Sequence, residues 1–214
     1  MSLAVEVGTL ADLIENDEEG AEWFRESISQ VNEVLREQGL QEHLEPENLP
    51  RIQFRCSIGS YPYSFLHHLR RFYAHCVADP SWSPQPTPPG ENPADDPVVD
   101  SETNMMSSHL LCHSDCEGFY LPIDFKDVII DEKSKDRVVG GLLGSSYRLK
   151  EELTMIAPKL GIRLENRKLS DSEVDRLNKA IDAEATLWIE KTVWLSLYEA
   201  ACFSIEHRTA VCFT

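Results

Sequence analysis

Apolar residues recur along this chain with two periods, and the period changes where glycine and proline fall. Phe24, Ile28, Val31 and Leu35 stand at i, i+4, i+7 and i+11, one stripe of a helix expected from about Glu18 to Gln38 and stopped by Gly39. Its other face is rich in glutamate and reads as solvated. Thr9-Leu10-Ala11-Asp12 begins a shorter helix before it. Phe65, Leu69, Phe72 and Cys76 make a second stripe, for a helix from about Tyr61 to Val77 with Pro62 tolerated in its first turn. Leu149, Leu153, Ile156 and Leu160 make a third, with Ser145 or Ser146 as its N-cap and Pro158 at its end. Ser170 and Glu173 form a capping box, with Leu169 and Val174 at the staple positions. From Leu187 to Ile205 nearly every face is apolar, the mark of a central buried helix.

Period two is rarer. Ile52, Phe54 and Cys56 alternate with polar residues, so Leu49 to Ile58 reads as a strand. Ser107 to Pro122 reads as a β-hairpin turning at Ser114-Asp115-Cys116-Glu117-Gly118, and Val128–Ile130 with Val138-Val139 as a second hairpin across a charged turn. Thr209 to Thr214 reads as a final strand. Residues 79–104 hold seven of the 12 prolines; such a segment predicts a long loop or linker without a helix, pinned by Trp82. Strands are few and not interleaved with helices, which predicts a helix-dominated α+β single domain over 1–214. Its sheet is expected to be small and mostly antiparallel, beside a central apolar C-terminal helix.

Charge changes this picture. The net charge is -17, and it is unevenly spread. Residues 1–47 carry 13 acids and 2 bases, residues 79–136 carry 13 and 3, and residues 137–214 balance. Residues 48–78 hold no acid, yet carry Arg51, Arg55, Arg70, Arg71, His67, His68 and His75. That window reads either as an anion site, with Arg55, Arg70, Arg71 and His68 as the gripping groups, or as the internal counter-charge of the acidic N-terminal helix. Such a chain repels phosphate backbones and anionic bilayers, so the partners expected are no nucleic acid, no membrane and a basic protein. No stretch of about 18 apolar residues occurs. The N-terminal residues lack a signal-peptide pattern, which predicts a cytoplasmic location. The six cysteines read as reduced and mostly buried.

The densest reactive cluster is His109-x-x-Cys112-His113-x-x-Cys116, with Asp115 and Asp124 close in sequence. Thiolate and imidazole are ligands zinc prefers, so His113 and Cys116 are the candidate metal pair and zinc the candidate cofactor. His113, Asp115 and Asp124 are the candidate catalytic groups. Cys112 or Cys116 beside His75 or His113 is the thiol alternative. The glycine loop before Ser145 is neither a Walker loop nor a dinucleotide fingerprint.

Two functions remain. The first is a non-enzymatic protein-binding module for a basic partner, similar in composition to bacterial immunity and inhibitor proteins. The second is a metal-dependent or thiol hydrolase built on the 109–124 hairpin, its anionic substrate held by Arg51, Arg55, Arg70 and Arg71. A homo-oligomer with Trp188 or Trp194 at its interface is a further expectation.

Overall fold

A computed structural model describes residues 2–131 and 137–214. Its architecture follows from a sheet with two apolar faces, each of which needs a cover. The six strands are β1 (Ser2–Val7), β2 (Ser60–Pro62), β3 (Gly118–Leu121), β4 (Ile129–Ile130), β5 (Leu142–Ser145) and β6 (Val211–Phe213). They lie in the order β2-β1-β6-β3-β5-β4. Only β3 and β5 run parallel, with Tyr120 opposite Gly144; the other four pairings are antiparallel.

Alternation sends the two sets of side chains to opposite faces. Leu3, Val5, Tyr120, Val211 and Phe213 point into one core, covered by α3 (Tyr63–Ala78), α6 (Ser146–Ile156), α7 (Asp171–Asp182) and α8 (Trp188–His207). Phe119, Leu121, Leu143 and Cys212 point into the other, covered by α2 (Glu18–Glu37) with α1 (Thr9–Asn16) before it. The α8 helix is central, as its composition predicts: Val193, Trp194, Leu195 and Leu197 are fully buried, and Trp194 Nε1 donates to Leu153 O at 2.8 Å. Trp194 is therefore a core residue and not an interface one, while Trp188 packs edge-on against Phe65.

The caps behave as the local chemistry demands. Ser145 Oγ accepts from Arg148 N, and Ser170 Oγ accepts from Glu173 N. The Glu173 carboxylate does not return to the Ser170 backbone; it accepts from Arg163 N and pairs with Arg176.

Four expectations are corrected. Residues 49–58 do not pair in a ladder. They form an extended strap whose polar backbone is met by side chains of the helices: Glu199 accepts from Arg55 N at 2.7 Å, Asn178 Oδ1 from Ser57 N at 3.1 Å, and Asn178 Nδ2 donates to Arg55 O at 2.8 Å. The alternation there records exposure and not strand pairing. Residues 79–104 do hold a helix: Pro93 opens a 3₁₀ turn and Pro97 opens α4 (Pro97–Thr103), because the first helical position needs no N–H from its residue.

The 107–122 hairpin is the third. His109–Cys112 is one helical turn, α5, and not a strand. Ser108 Oγ accepts from Leu111 N, and the Glu152 carboxylate on α6 accepts from His109 N and Leu110 N at 2.8 Å each. In the second expected hairpin, Ile129 and Ile130 pair with Leu143 and Leu142 and not with Val138-Val139. Most of the charged turn between them, residues 132–136, lies outside the described residues.

One glycine is required by close packing. A Cβ on Gly144 would stand 2.3 Å from the Tyr120 ring that lies across it. Tyr120 is fully buried and donates to His109 O at 3.0 Å, so its ring has nowhere to move. Gly144→Ala should cost roughly 1–3 kcal/mol. That lowers Tm by about 2–4 °C for each kcal/mol, read by thermal unfolding.

Candidate functional site

Turning 100° per residue, α2 places Glu18, Glu19, Glu22, Glu26, Glu33 and Glu37 within roughly 100° of arc. That arc lies opposite the buried Phe24, Ile28, Val31 and Leu35. The stripe runs about 28 Å at 1.5 Å per residue. Asp12, Glu15 and Asp17 extend it back through α1 and the link between the helices. All of these acids are exposed.

The stripe has two halves with different electrostatics. At the C-terminal end Arg137 reaches Glu37 at 3.0 Å, Glu33 at 3.6 Å and the buried Asp131 at 2.8 Å, which raises the guanidinium pKa further. At the N-terminal end no basic side chain among the described residues reaches Asp12, Glu15, Asp17, Glu18, Glu19, Glu22 or Glu26. The only base on this half, Arg25, turns to Glu47 at 3.0 Å. Among the described residues, seven exposed carboxylates within 15 positions are thus left without a basic partner.

Beside this half opens an apolar cleft of about 220 Å³, between α1, α2 and the sheet, walled by Leu13, Trp23, Phe24, Phe119 and Val139 with Glu6 at its mouth. Trp23 is 55 % exposed on the flank of the acidic stripe. Sequence reasoning did not single it out. The signal was there: a turn of 100° per residue puts Trp23 about 110° from the centre of the stripe formed by Phe24, Ile28, Val31 and Leu35.

The basic window is used inside the fold, and its partners are not on α2. Arg55 holds Glu199 at 2.5 Å and Asp171 at 2.6 Å. Arg70 is 5 % exposed; it donates to Leu110 O at 2.9 Å and also to His113 O, Ser114 O and Asp115. Arg71 and His75 share Asp96, each at 2.8 Å. His68 lies 3.1 Å from Thr87 Oγ1 and 3.9 Å from Glu190, and burial lowers its pKa. Arg51 is exposed at the start of the strap. The proposed anion-gripping groups therefore do not converge on one open site.

The reactive cluster disperses too. His113 is buried, stacked on Tyr120 at 4.0 Å with Phe213 against its edge, and donates from Nδ1 to Ser114 O. Burial lowers its pKa to about 4. Asp115 is held well below the ordinary carboxylate range by a hydrogen bond from His67 and by Arg70. Asp124 pairs with Arg148 at 2.8 Å. Cys116 is exposed, with only Ser114 Oγ near its sulfur at 3.9 Å. His109 bridges by its two ring nitrogens, accepting from Ser145 N and donating to Lys126 O. Burial pushes the Glu152 carboxyl up to about 7, but its oxygens are engaged by Ser108, His109 and Leu110. Among the described residues no group of three His, Cys, Asp or Glu side chains is placed to hold a metal ion. The residues present thus do not fit the zinc site that the spacing suggested.

Residues 1–213 match the model of a family described as "Putative DNA-mimic protein". The chain belongs to this family. No curated protein and no solved structure matches it. Membership favours a protein-binding role over an enzymatic one. It also corrects the partner expectation: nucleic acid was set aside because the chain repels it, whereas the family is described by its likeness to DNA. No helix among the described residues is long and apolar enough to cross a membrane.

His113 generates a test of its structural role. Its folded pKa of about 4 lies below the ordinary histidine value near 6.5. The folded state therefore resists protonation, and this contribution to stability is full above about pH 6.5 and lost as pH falls toward 4. His113→Gln should be destabilised at neutral pH, yet should lose less stability than the wild type across that window, by up to about 1.4 kcal/mol per pH unit. Parallel denaturation curves for the two proteins at each pH would show that His113 is not the buried neutral group described.

Proposed function

We propose that this protein binds a DNA-binding protein on its nucleic-acid surface, presenting the α1–α2 face where that protein would meet a duplex. One observation carries the reading: among the described residues, seven exposed carboxylates from Asp12 to Glu26 have no basic partner, whereas Arg25, Arg55, Arg70 and Arg71 each pair with a carboxylate elsewhere in the chain. Family membership supports it.

The dimensions are compatible with imitation of one strand. A duplex strand carries a phosphate about every 3.4 Å. Glu18, Glu22 and Glu26 repeat about every 6 Å along the helix axis. The 28 Å stripe corresponds to roughly eight base pairs. Its charge density is lower than that of DNA, so attraction alone favours the duplex. The acidic face would serve to steer a basic partner in, raising the association rate, while close contact supplies the remaining affinity.

The same glutamates act against the fold. Glu18, Glu22 and Glu26 are like charges at i and i+4, each pair costing about 0.2–0.5 kcal/mol. Glu18 gains from the helix N-terminus, but the benefit fades beyond the first turn, where Glu22 and Glu26 lie. E22Q/E26Q should therefore be slightly more stable than the wild type at low salt. Its association rate with a basic DNA-binding domain should fall about tenfold at low salt, with the difference closing as salt screens both proteins. The checking measurement is surface-bound kinetics across salt, with duplex DNA as competitor. Unchanged association by the double variant, or binding of protein and duplex to the domain at once, would overturn the proposal.

A further inference from the structure

The acidic stripe accounts for attraction but not for the cleft beside it, and the cleft has a chemistry of its own. Its walls are apolar: Leu13 from α1, Trp23 and Phe24 from α2, Phe119 from β3 and Val139. Its lining is acidic at one point, the carboxylate of Glu6 on β1, and the charge of Asp12 on α1 acts on that carboxylate. No basic side chain among the described residues pairs with either acid. Partial desolvation of the carboxyl, with the charge of Asp12 adding to it, raises Glu6 above its usual range, against a hydrogen bond from Thr214, while the residue as a whole is exposed. An incoming cation would relieve both effects.

An apolar cleft with one carboxylate in its lining matches one kind of side chain. It must be long, with an apolar stem and a cationic head. Lysine and arginine both satisfy that, and the exposed indole of Trp23 at the rim favours the guanidinium, which stacks on aromatic faces. We propose that the cleft receives one arginine side chain of the partner, its stem between Leu13, Phe24 and Phe119, its guanidinium between Trp23 and the carboxylate of Glu6. The inference rests on the reading that the partner is a DNA-binding protein, because such proteins carry arginines on the surface that meets phosphates and bases. It adds the anchor that the stripe lacks. The acids on α2 draw the partner in, and a single arginine seated in a desolvated pocket slows its departure, as buried arginine and tryptophan anchors do at interfaces.

The full chain, labelled with nitrogen-15, is titrated with a peptide Ac-Gly-Arg-Gly-NH₂ and with two counterparts carrying citrulline or norleucine in place of arginine. The expected result is saturable shifts of the Trp23 indole and the Gly20 and Val139 amides with the arginine peptide, and about tenfold weaker binding by Glu6→Gln. Trp23→Ala, at an exposed position, should weaken binding comparably while the protein keeps its spectrum. The citrulline peptide keeps shape without charge and the norleucine peptide keeps the stem alone, so both should bind at least tenfold more weakly. Binding of the norleucine peptide equal to that of arginine would make the cleft a receptor for apolar side chains and overturn the proposal. Arginine shifts confined to Glu18, Glu22 and Glu26 and unaffected by Glu6→Gln would overturn it as well. No DNA-binding domain takes part in this titration, so its failure leaves the reading of the acidic face standing. Failure of the duplex competition would in turn leave the peptide result untouched.

Discussion

The contact between one stripe of α2 and one face of the sheet governs the rest of this molecule. Phe24, Ile28, Val31 and Leu35 are buried against Phe119, Leu121 and Leu143, with Phe24 and Phe119 edge to face at 5.8 Å. Each such side chain contributes about 1.5–3 kcal/mol on leaving water. The repulsion between neighbouring glutamates on the opposite side is smaller, a few tenths of a kcal/mol per pair. Burial wins, and the helix is held with its acids outward along its length. The carboxylates are not placed outside by preference for solvent alone; they are held together there by what lies beneath.

The other charges of the chain follow a different rule. Arg55, Arg70 and Arg71 each reach a carboxylate contributed by a distant part of the sequence, and Arg70 also ties down the carbonyls of the 110–114 turn. A network at the other cover does similar work: His43 meets Glu45 at 2.5 Å, and Glu45 accepts from Thr209 and from Ala210 N, which locks the segment after α2 to the start of β6. Arg55, Arg70 and Arg71 are matched inside the fold, whereas, among the described residues, the carboxylates on the N-terminal half of the acidic stripe have no basic partner. Part of the acidic excess of the first 47 residues, 13 acids against 2 bases, is thus exposed where a partner can use it.

How far the sequence could be read depended on the range of the forces involved. The α2, α3, α6 and α8 helices were legible from periodicity because a helix face is set by neighbours three and four residues away. Ser170 was legible as a cap for the same reason. Residues 49–58 were misread because alternation reports which side chains are covered and is silent on what the backbone bonds to; here it bonds to Asn178 and Glu199, more than a hundred residues on. His109–Cys112 was misread as a strand because the carboxylate that completes its turn belongs to Glu152. The His113, Asp115 and Cys116 spacing suggested a site, but the imidazole went into the core against Tyr120 and Phe213.

By itself the sequence determined the class of fold, the apolar stripe of each long helix, and the acidic excess of residues 1–47 and 79–136, since composition and local periodicity need no knowledge of partners. Tertiary structure alone decided which charges cancel. Whether an arginine is a site or a strut depends on whether a carboxylate from elsewhere arrives within about 4 Å, a distance that chain order does not encode. It also decided that Trp23 stays at the surface beside a cleft walled by α1, α2 and the sheet, because a cavity is the space left between elements and belongs to no one of them.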